Sequence, residues 1–235
     1  MNSALLDTLL EAKTAKRPTA LVTDLEGGAQ ALVIDGAEHG ELALDDQVRG
    51  GIERALRRDK GETVESAGKR LFIQPFAPPK RMILVGAVHI AQSLAPMAKL
   101  TGYDVVIVDP RQAFTSRERF PGAALNHDWP DDALTALAPD RRTAVVTLTH
   151  DPKLDDPALS VALRSDAFYI GALGSTRTHG RRLERLREAG FGDNDFARIH
   201  GPIGLDIGAV SPAEIAISIM GEVTRTLHAP AEDGK

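Results

Sequence analysis

The hydrophobic pattern of the chain changes its character near residue 80. Beyond that point, short apolar segments such as RMILVG, DVVIVD, TAVVTLTH and AFYIGALG alternate with segments of helical periodicity. Strands that are apolar on both faces and are separated by helices are typical of a parallel sheet covered on both sides. We therefore predict an α/β domain from residue 81 to residue 235, a parallel sheet with helices on both faces.

The first 76 residues show a different pattern. Leucines near the N-terminus recur at helical spacing, and the segments ALVTDL, AQALVID, GETVESA and KRLFIQPF, with a helix at Asp45 to Arg58, predict a small α+β domain. Three prolines follow between Pro75 and Lys80, and each removes a backbone donor and favours an extended residue before it. We place the linker at residues 77–80.

The composition excludes several classes of protein. With 43% hydrophobic and 26% charged residues the chain matches a folded protein, and its net charge of −5 argues against a nucleic-acid partner. No apolar segment approaches the roughly 18 residues of a membrane helix, so we expect no membrane partner and a cytoplasmic location. The absence of cysteine excludes disulfides and thiolate metal sites, and we predict no metal site.

The first strand, helix and second strand of the larger domain have the layout of a Rossmann-like βαβ unit. Asp109 ends the second strand 23 positions after Gly86, near the spacing at which an acidic residue meets ribose hydroxyls. The glycine fingerprint is incomplete, because Val88 and Ala91 stand where glycines are expected. The pattern favours a nucleotide-type site, and a simple tight turn is the alternative.

Polar side chains follow two of the predicted strands. Arg111 offers a planar set of donors suited to a phosphate or a pterin carbonyl, although it is equally consistent with a solvated surface residue. His150 and Asp151 close another strand, where an acid–base role competes with a simple helix-capping role for Asp151, Asp155 or Asp156.

Two glycine-containing segments are further candidates. The segment from Gly171 to Arg177 contains Gly174 and Ser175 and enters a helix, so its amides predict an anion cradle, with a serine cap as the alternative. We predict solvent exposure for most arginines of that helix, which are Arg181, Arg182, Arg185 and Arg187.

The second glycine-containing segment surrounds Gly204 and Asp206. Ser211, a following proline and Glu214 form the pattern of a capping box, so capping is the favoured role for the serine and the glutamate. Asp206 has no capping role in the pattern and is a candidate to contact a ligand or a metal.

The ordered series GAVHIAQSLAPMAKLTGYDVVIVDPR, RFPGA, THD, YIGALGSTRT, PIGLDIGA and SPAEIAISIMGEV resembles the XdhC/CoxI family. The resemblance implies a small N-terminal domain followed by a Rossmann domain. It also implies a role in binding the molybdenum cofactor, a molybdopterin, and delivering it to enzymes of the xanthine dehydrogenase or carbon monoxide dehydrogenase type.

Carried over by position, the resemblance implies a set of cofactor-binding residues on loops at one end of the sheet. They are Gly86, His89, Asp109, Arg111, His150, Asp151, Gly171, Gly174, Ser175, Arg177, Gly204, Asp206 and Glu214. The chain departs from the family at Val88, where a glycine is usual, and between Gly36 and Asp46, where the family's cysteine is missing. A role that needs a protein thiolate is therefore not open to this chain.

Three hypotheses follow. The first is a maturation factor that carries the molybdenum cofactor to a molybdoenzyme, for which catalysis is not required, with a sulfurtransferase and a second copy of the chain as further expected partners. The second is an NAD(P)-dependent oxidoreductase or a pterin or nucleotide transferase, with Asp109 on a ribose and His89 or His150 as acid or base. The third is an interaction scaffold that has lost its ligand.

Overall fold

The chain divides into two compact units at the bond between Pro78 and Pro79. The computed structural model describes residues 3–229, so residues 1–2 and 230–235, the outer ends of the two predicted domains, lie outside the described residues. Each unit has its own sheet and its own hydrophobic core.

The N-terminal unit is a five-stranded antiparallel sheet in the order β3-β2-β1-β5-β4. Helix α2 packs on this sheet, and Asp45 caps it by accepting a hydrogen bond from the Val48 amide. The elements are α1 (Ser3–Thr14), β1 (Thr19–Asp24), β2 (Gln30–Ile34), β3 (Ala37–Gly40), α2 (Asp46–Arg58), β4 (Glu62–Ser66) and β5 (Lys69–Phe76). Strand β3 is exposed along its whole length, which explains why no apolar pattern predicts it.

The C-terminal unit is a six-stranded sheet in which every strand pair is parallel. Its elements are β6 (Lys80–Val85), α3 (His89–Leu100), β7 (Tyr103–Val108), a 3-10 turn (Gln112–Phe114), β8 (Ala124–Asn126), α4 (Pro130–Leu137), β9 (Thr143–Thr147), α5 (Pro152–Leu163), β10 (Tyr169–Ala172), α6 (Thr176–Glu188), α7 (Asp193–Phe196), β11 (Ile199–His200) and α8 (Pro212–His228). Strand β5 ends at Phe76 and β6 begins at Lys80, so residues 77–79 join the two sheets.

The strand order, β11-β10-β9-β6-β7-β8, is that of a Rossmann fold. The chain moves outward from β6 in one direction through β7 and β8, then returns to the other side of β6 with β9. The strand order therefore reverses between β6 and β9, and ligands of open α/β sheets bind in the crevice outside the carboxyl ends of strands at such a point.

Alternate residues of the strands pack on opposite faces of this sheet. Met82 and Leu84 belong to a core with α3 and α8, whereas Ile83 and Val85 belong to a second core with α4, α5 and α6. The predicted fold class, a parallel sheet with helices on both faces plus a small N-terminal α+β domain, is confirmed.

Candidate functional site

The loops that follow the parallel strands lie at one edge of the sheet, as their common direction requires. The predicted residues follow β6, β7, β9, β10 and β11, with one exception. Gly171 lies inside β10, where a Cβ atom would come within 2.7 Å of Tyr169 Cε1 and would also collide with Ile203. The missing side chain at this position makes room for packing.

Asp109 is a polar residue at this edge with no exposed surface. One carboxylate oxygen accepts hydrogen bonds from the Arg111 amide at 3.0 Å and from Arg111 Nε at 2.9 Å. The other accepts from Arg111 Nη2 and from the Ala87 amide, both at 2.8 Å. A single buried carboxylate thus joins the turns after β6 and β7 and holds the Arg111 guanidinium in one orientation.

The protonation states of this pair follow from the same contacts. Burial acts to raise the pKa of Asp109, but the hydrogen bonds from Arg111 and from the Ala87 amide outweigh it and leave the pKa below its ordinary value. The Asp109 carboxylate raises the pKa of Arg111. Both groups are charged at neutral pH, and the Arg111 side chain remains 41% exposed at the edge of the sheet.

The turn after β6 packs closely on the turn after β9. Gly86 has a φ of +111°, and a Cβ atom there would lie 2.5 Å from Thr149 Cγ2, so a side chain is excluded by both conformation and space. Val88 is half-buried against the core and is the N-cap of α3, which has no side-chain cap. His89 is exposed in the first turn of that helix.

The turn after β9 is held by Asp155, a buried carboxylate one turn into α5. It accepts hydrogen bonds from Thr149 Oγ1 at 2.6 Å, from the Thr149 amide at 3.3 Å and from the His150 amide at 3.1 Å. His150 has a φ of +61°, an unusual conformation that these bonds stabilise. Asp151 is the N-cap of α5 and accepts from the Lys153 amide at 3.0 Å, which is the capping role that the sequence left open.

Arg182 corrects an expectation from the sequence, because its side chain is only 2% exposed. Its Nη2 donates to the Leu173 carbonyl at 2.7 Å and lies 3.7 Å from Asp155 Oδ2, while its Nε has no hydrogen-bond partner among the described residues. Burial raises the pKa of Asp155 and lowers that of Arg182. Arg182 precedes the buried Leu186 by four residues, so helical periodicity was the signal that pointed to its burial.

A cleft of about 200 Å³ opens between α5 and α6 beside this pair. It is lined by His150, Pro152, Asp155, Thr178, Arg181, Arg182 and Arg185. Of these, sequence reasoning marked only His150 as a site residue.

The loop after β10 leads through Gly174 and Ser175 into α6. Gly174 has a φ of +151°, and Ser175 Oγ accepts a hydrogen bond from the Thr178 amide at 3.2 Å, so the serine caps α6. Arg177 is exposed in the first turn of the helix. The serine cap thus accepts from one of the backbone amides at the start of α6.

The loop after β11 is fixed by Glu222, a buried residue of α8 that sequence reasoning missed. Its Oε2 accepts hydrogen bonds from the Gly204 amide at 2.8 Å and from the Tyr169 hydroxyl at 2.7 Å, and its Oε1 lies 3.3 Å from His200 Nδ1. Glu222 stands mid-helix among apolar residues, and no local motif marks it.

The remaining predicted residues of this region are at the surface. Asp206 is exposed, and Glu214 accepts hydrogen bonds from the Ser211 and Val210 amides at 2.8 and 3.0 Å. The capping box of α8 is present as the sequence predicts.

Among residues 3–229, no group of three or more acidic, histidine or cysteine side chains is placed to hold a metal ion. Within the same residues, no helix has the length and apolarity to cross a membrane.

The fold and the chain both match known proteins. The chain resembles the crystal structure of a xanthine dehydrogenase from Bacillus halodurans, with a TM-score of 0.73 and 23% identity over 99% of this chain and 66% of that one. It is 33% identical to the molybdenum cofactor insertion chaperone PaoD of Escherichia coli over 67% of this chain. It is also 33% identical to a probable xanthine dehydrogenase subunit of Bacillus subtilis over 66% of this chain.

The matched region is shorter than the curated relatives, since it spans 43% of PaoD and 46% of the Bacillus subtilis protein. The structural likeness, at 23% identity, concerns the fold. The sequence model of the XdhC Rossmann domain matches residues 82–223, more than half of the chain and nearly the whole parallel sheet with its helices. The chain therefore belongs to the XdhC family.

Proposed function

We propose that this protein binds the molybdenum cofactor at the carboxyl edge of its parallel sheet and passes it to a molybdoenzyme of the xanthine dehydrogenase type. The observation that carries the proposal is the Arg111 guanidinium, which buried Asp109 holds in place beside the turn after β6. This turn borders the point where the strand order reverses.

A fixed guanidinium is well suited to such a ligand. Its planar set of donors matches the oxygen atoms of a phosphate or the carbonyl edge of a pterin, and an orientation set in advance lowers the entropy lost on binding. Asp109 neutralises part of the charge but leaves the exposed part of Arg111 at the crevice.

The relatives support the cargo and the client. One is named a molybdenum cofactor insertion chaperone and another a probable xanthine dehydrogenase subunit. The chain contains no cysteine, so we expect its contacts to reach the pterin and the phosphate of the cargo, whose metal is held by the pterin's own sulfur atoms. A sulfurtransferase partner, a homodimer and a cytoplasmic location stay predictions.

The nucleotide-dependent alternative is less well supported. A dinucleotide would need an acidic residue free to accept from ribose hydroxyls, and all four hydrogen bonds to Asp109 are already made within the protein. The side chain of Val88 also stands where a glycine would allow close approach of a pyrophosphate.

The test is an anaerobic calorimetric titration with molybdenum cofactor. A charge-assisted hydrogen bond contributes about 1.5–3 kcal/mol, so we expect Arg111→Ala to weaken binding by about 10-fold or more. Arg111→Lys keeps the charge beside Asp109 but loses the planar set of donors, and it should bind with intermediate affinity. The matched control is Arg141→Ala, an arginine 88% exposed just before β9, at the opposite edge of the sheet.

Thermal melting of each variant shows that the affinities refer to folded protein. Undiminished binding by both Arg111 variants would contradict the site. Binding of NAD(P) without binding of the molybdenum cofactor would contradict the function.

A further inference from the structure

The cleft between α5 and α6 carries an excess of positive charge. Arg181, Arg182 and Arg185 line it together with one carboxylate, that of Asp155. Arg185 is paired with Asp156, with Nη2 3.0 Å from Oδ1, and Arg182 lies near Asp155. Arg181 is exposed at the mouth of the cleft and contributes the surplus charge.

The guanidinium of Arg182 is buried, and part of its hydrogen-bonding capacity is unused among the described residues. One nitrogen is fixed on the Leu173 carbonyl, while the buried Nε has no partner among the described residues. Arg182 also lines the cleft, so an oxyanion bound there would lie beside a guanidinium whose nearest carboxylate, that of Asp155, is 3.7 Å away.

Two further polar residues, His150 and Thr178, line the cleft. His150 lines the cleft, and its backbone is held in a left-handed conformation by the Asp155 carboxylate. Thr178 lines the cleft from α6, and its hydroxyl lies 3.0 Å from Ser175 Oγ. Arginine, histidine and threonine residues around one small cleft are residue types that can donate hydrogen bonds to a tetrahedral dianion.

We propose that the cleft between α5 and α6 is a phosphate-binding subsite, in which Arg181 and Arg182 hold the phosphoryl group of a phosphate monoester. The site lies on the α5 and α6 face of the sheet, beside the turn after β9. The phosphate site itself does not depend on the proposed function. Only the identity of its natural ligand does, and under that function the ligand is the phosphate ester of the pterin cargo.

Inorganic phosphate is the probe, titrated into the whole chain by calorimetry at low ionic strength, with acetate as a monoanion of different shape. We expect saturable binding of phosphate that exceeds binding of acetate by 10-fold or more. Arg181→Ala should weaken it by about 10-fold, as expected for loss of a charge-assisted hydrogen bond. Arg187→Ala removes a 59% exposed arginine from the same helix, outside the cleft, and should leave phosphate affinity unchanged.

Arg182→Lys keeps a charge in the buried position and provides a second variant if Arg182→Ala does not fold. Phosphate binding that is undetectable, or that is the same in wild type, Arg181→Ala and Arg182→Lys, would overturn the proposal. Competition distinguishes the source of the phosphate. Displacement of phosphate by molybdenum cofactor assigns the cleft to the cargo, and simultaneous binding assigns it to another phosphate ester.

The two proposals fail separately. If phosphate binds in an Arg181-dependent way and the molybdenum cofactor does not bind at all, the subsite stands and the proposed function fails. If the cofactor binds through Arg111 and phosphate binding does not depend on the cleft, the subsite alone fails.

Discussion

The carboxylate of Asp109 shows how one residue can organise two loops. Four donors converge on it from the turn after β6 and from Arg111, and its burial makes each of these bonds more valuable than a surface contact. The sequence predicted that both residues stand at the end of β7, but their spacing does not show that they bind each other.

We predict that Asp109→Asn lowers the free energy of unfolding by about 2 kcal/mol at neutral pH, because it removes a charge that pairs with the half-exposed Arg111. The pKa of Asp109 is lower in the folded chain than its usual 3.8. The Asp109 carboxylate therefore contributes its full stabilisation above pH 3.8, and this contribution is lost as the pH falls through the folded-state pKa.

Urea unfolding of wild type and Asp109→Asn between neutral and acid pH measures this effect. The difference in the free energy of unfolding between wild type and Asp109→Asn should become smaller as the pH falls below 3.8. A difference that stays constant over the whole range would mean that the charge of Asp109 has no part in it.

Residue types alone did not separate functional from structural arginines. Arg182 stands in a run of basic residues that reads as a solvated helix face, yet it is buried against Asp155. Its spacing of four residues from Leu186 could indicate burial, but the partner Asp155 lies on a different helix and could not be identified from local sequence.

At the scale of elements, prediction succeeded where segments were long enough to show a period. The four longer strands of the parallel sheet and the helices between them follow from their apolar pattern, whereas β8, α7 and β11 contain two to four residues and show none. The capping box of α8 was predictable because all its atoms come from neighbouring residues.

Two glycines give a matched test of packing within elements. Gly171 lies in β10 against Tyr169 and Ile203, so Gly171→Ala should lower the free energy of unfolding by about 1–3 kcal/mol through overpacking. Gly180 lies in α6 with open space around it, and Gly180→Ala should raise stability by about 0.5–1 kcal/mol through helix propensity.

Thermal and chemical unfolding of the two variants provides the comparison. Equal changes in the free energy of unfolding for Gly171→Ala and Gly180→Ala would show that the contacts around Gly171 do not disfavour a side chain there.

For the whole molecule, the alternation of strands and helices predicted a parallel sheet but not the order of its strands. That order places the turns after β6 and β9 side by side, where Gly86 meets Thr149. The contact joins residues far apart in the sequence, so the shape of the crevice was beyond sequence reasoning.

We propose that the two units are separate domains, with the boundary at Pro78. The C-terminal unit has hydrophobic cores on both faces of its sheet that draw all their residues from within it. We predict that residues 79–235 expressed alone unfold cooperatively, as measured by circular dichroism during heating. A broad, non-cooperative transition would show that this segment depends on the N-terminal unit.

Tyr169 links the strand edge to the last helix through its hydroxyl on Glu222. Burial, with Glu222 as hydrogen-bond acceptor, holds the pKa of this phenol well above its usual 10.0. In alkaline solution its phenolate absorption should therefore emerge only when the junction of β10, the Gly204 loop and α8 comes apart. Tyr169 is thus a built-in optical probe of local opening at that junction.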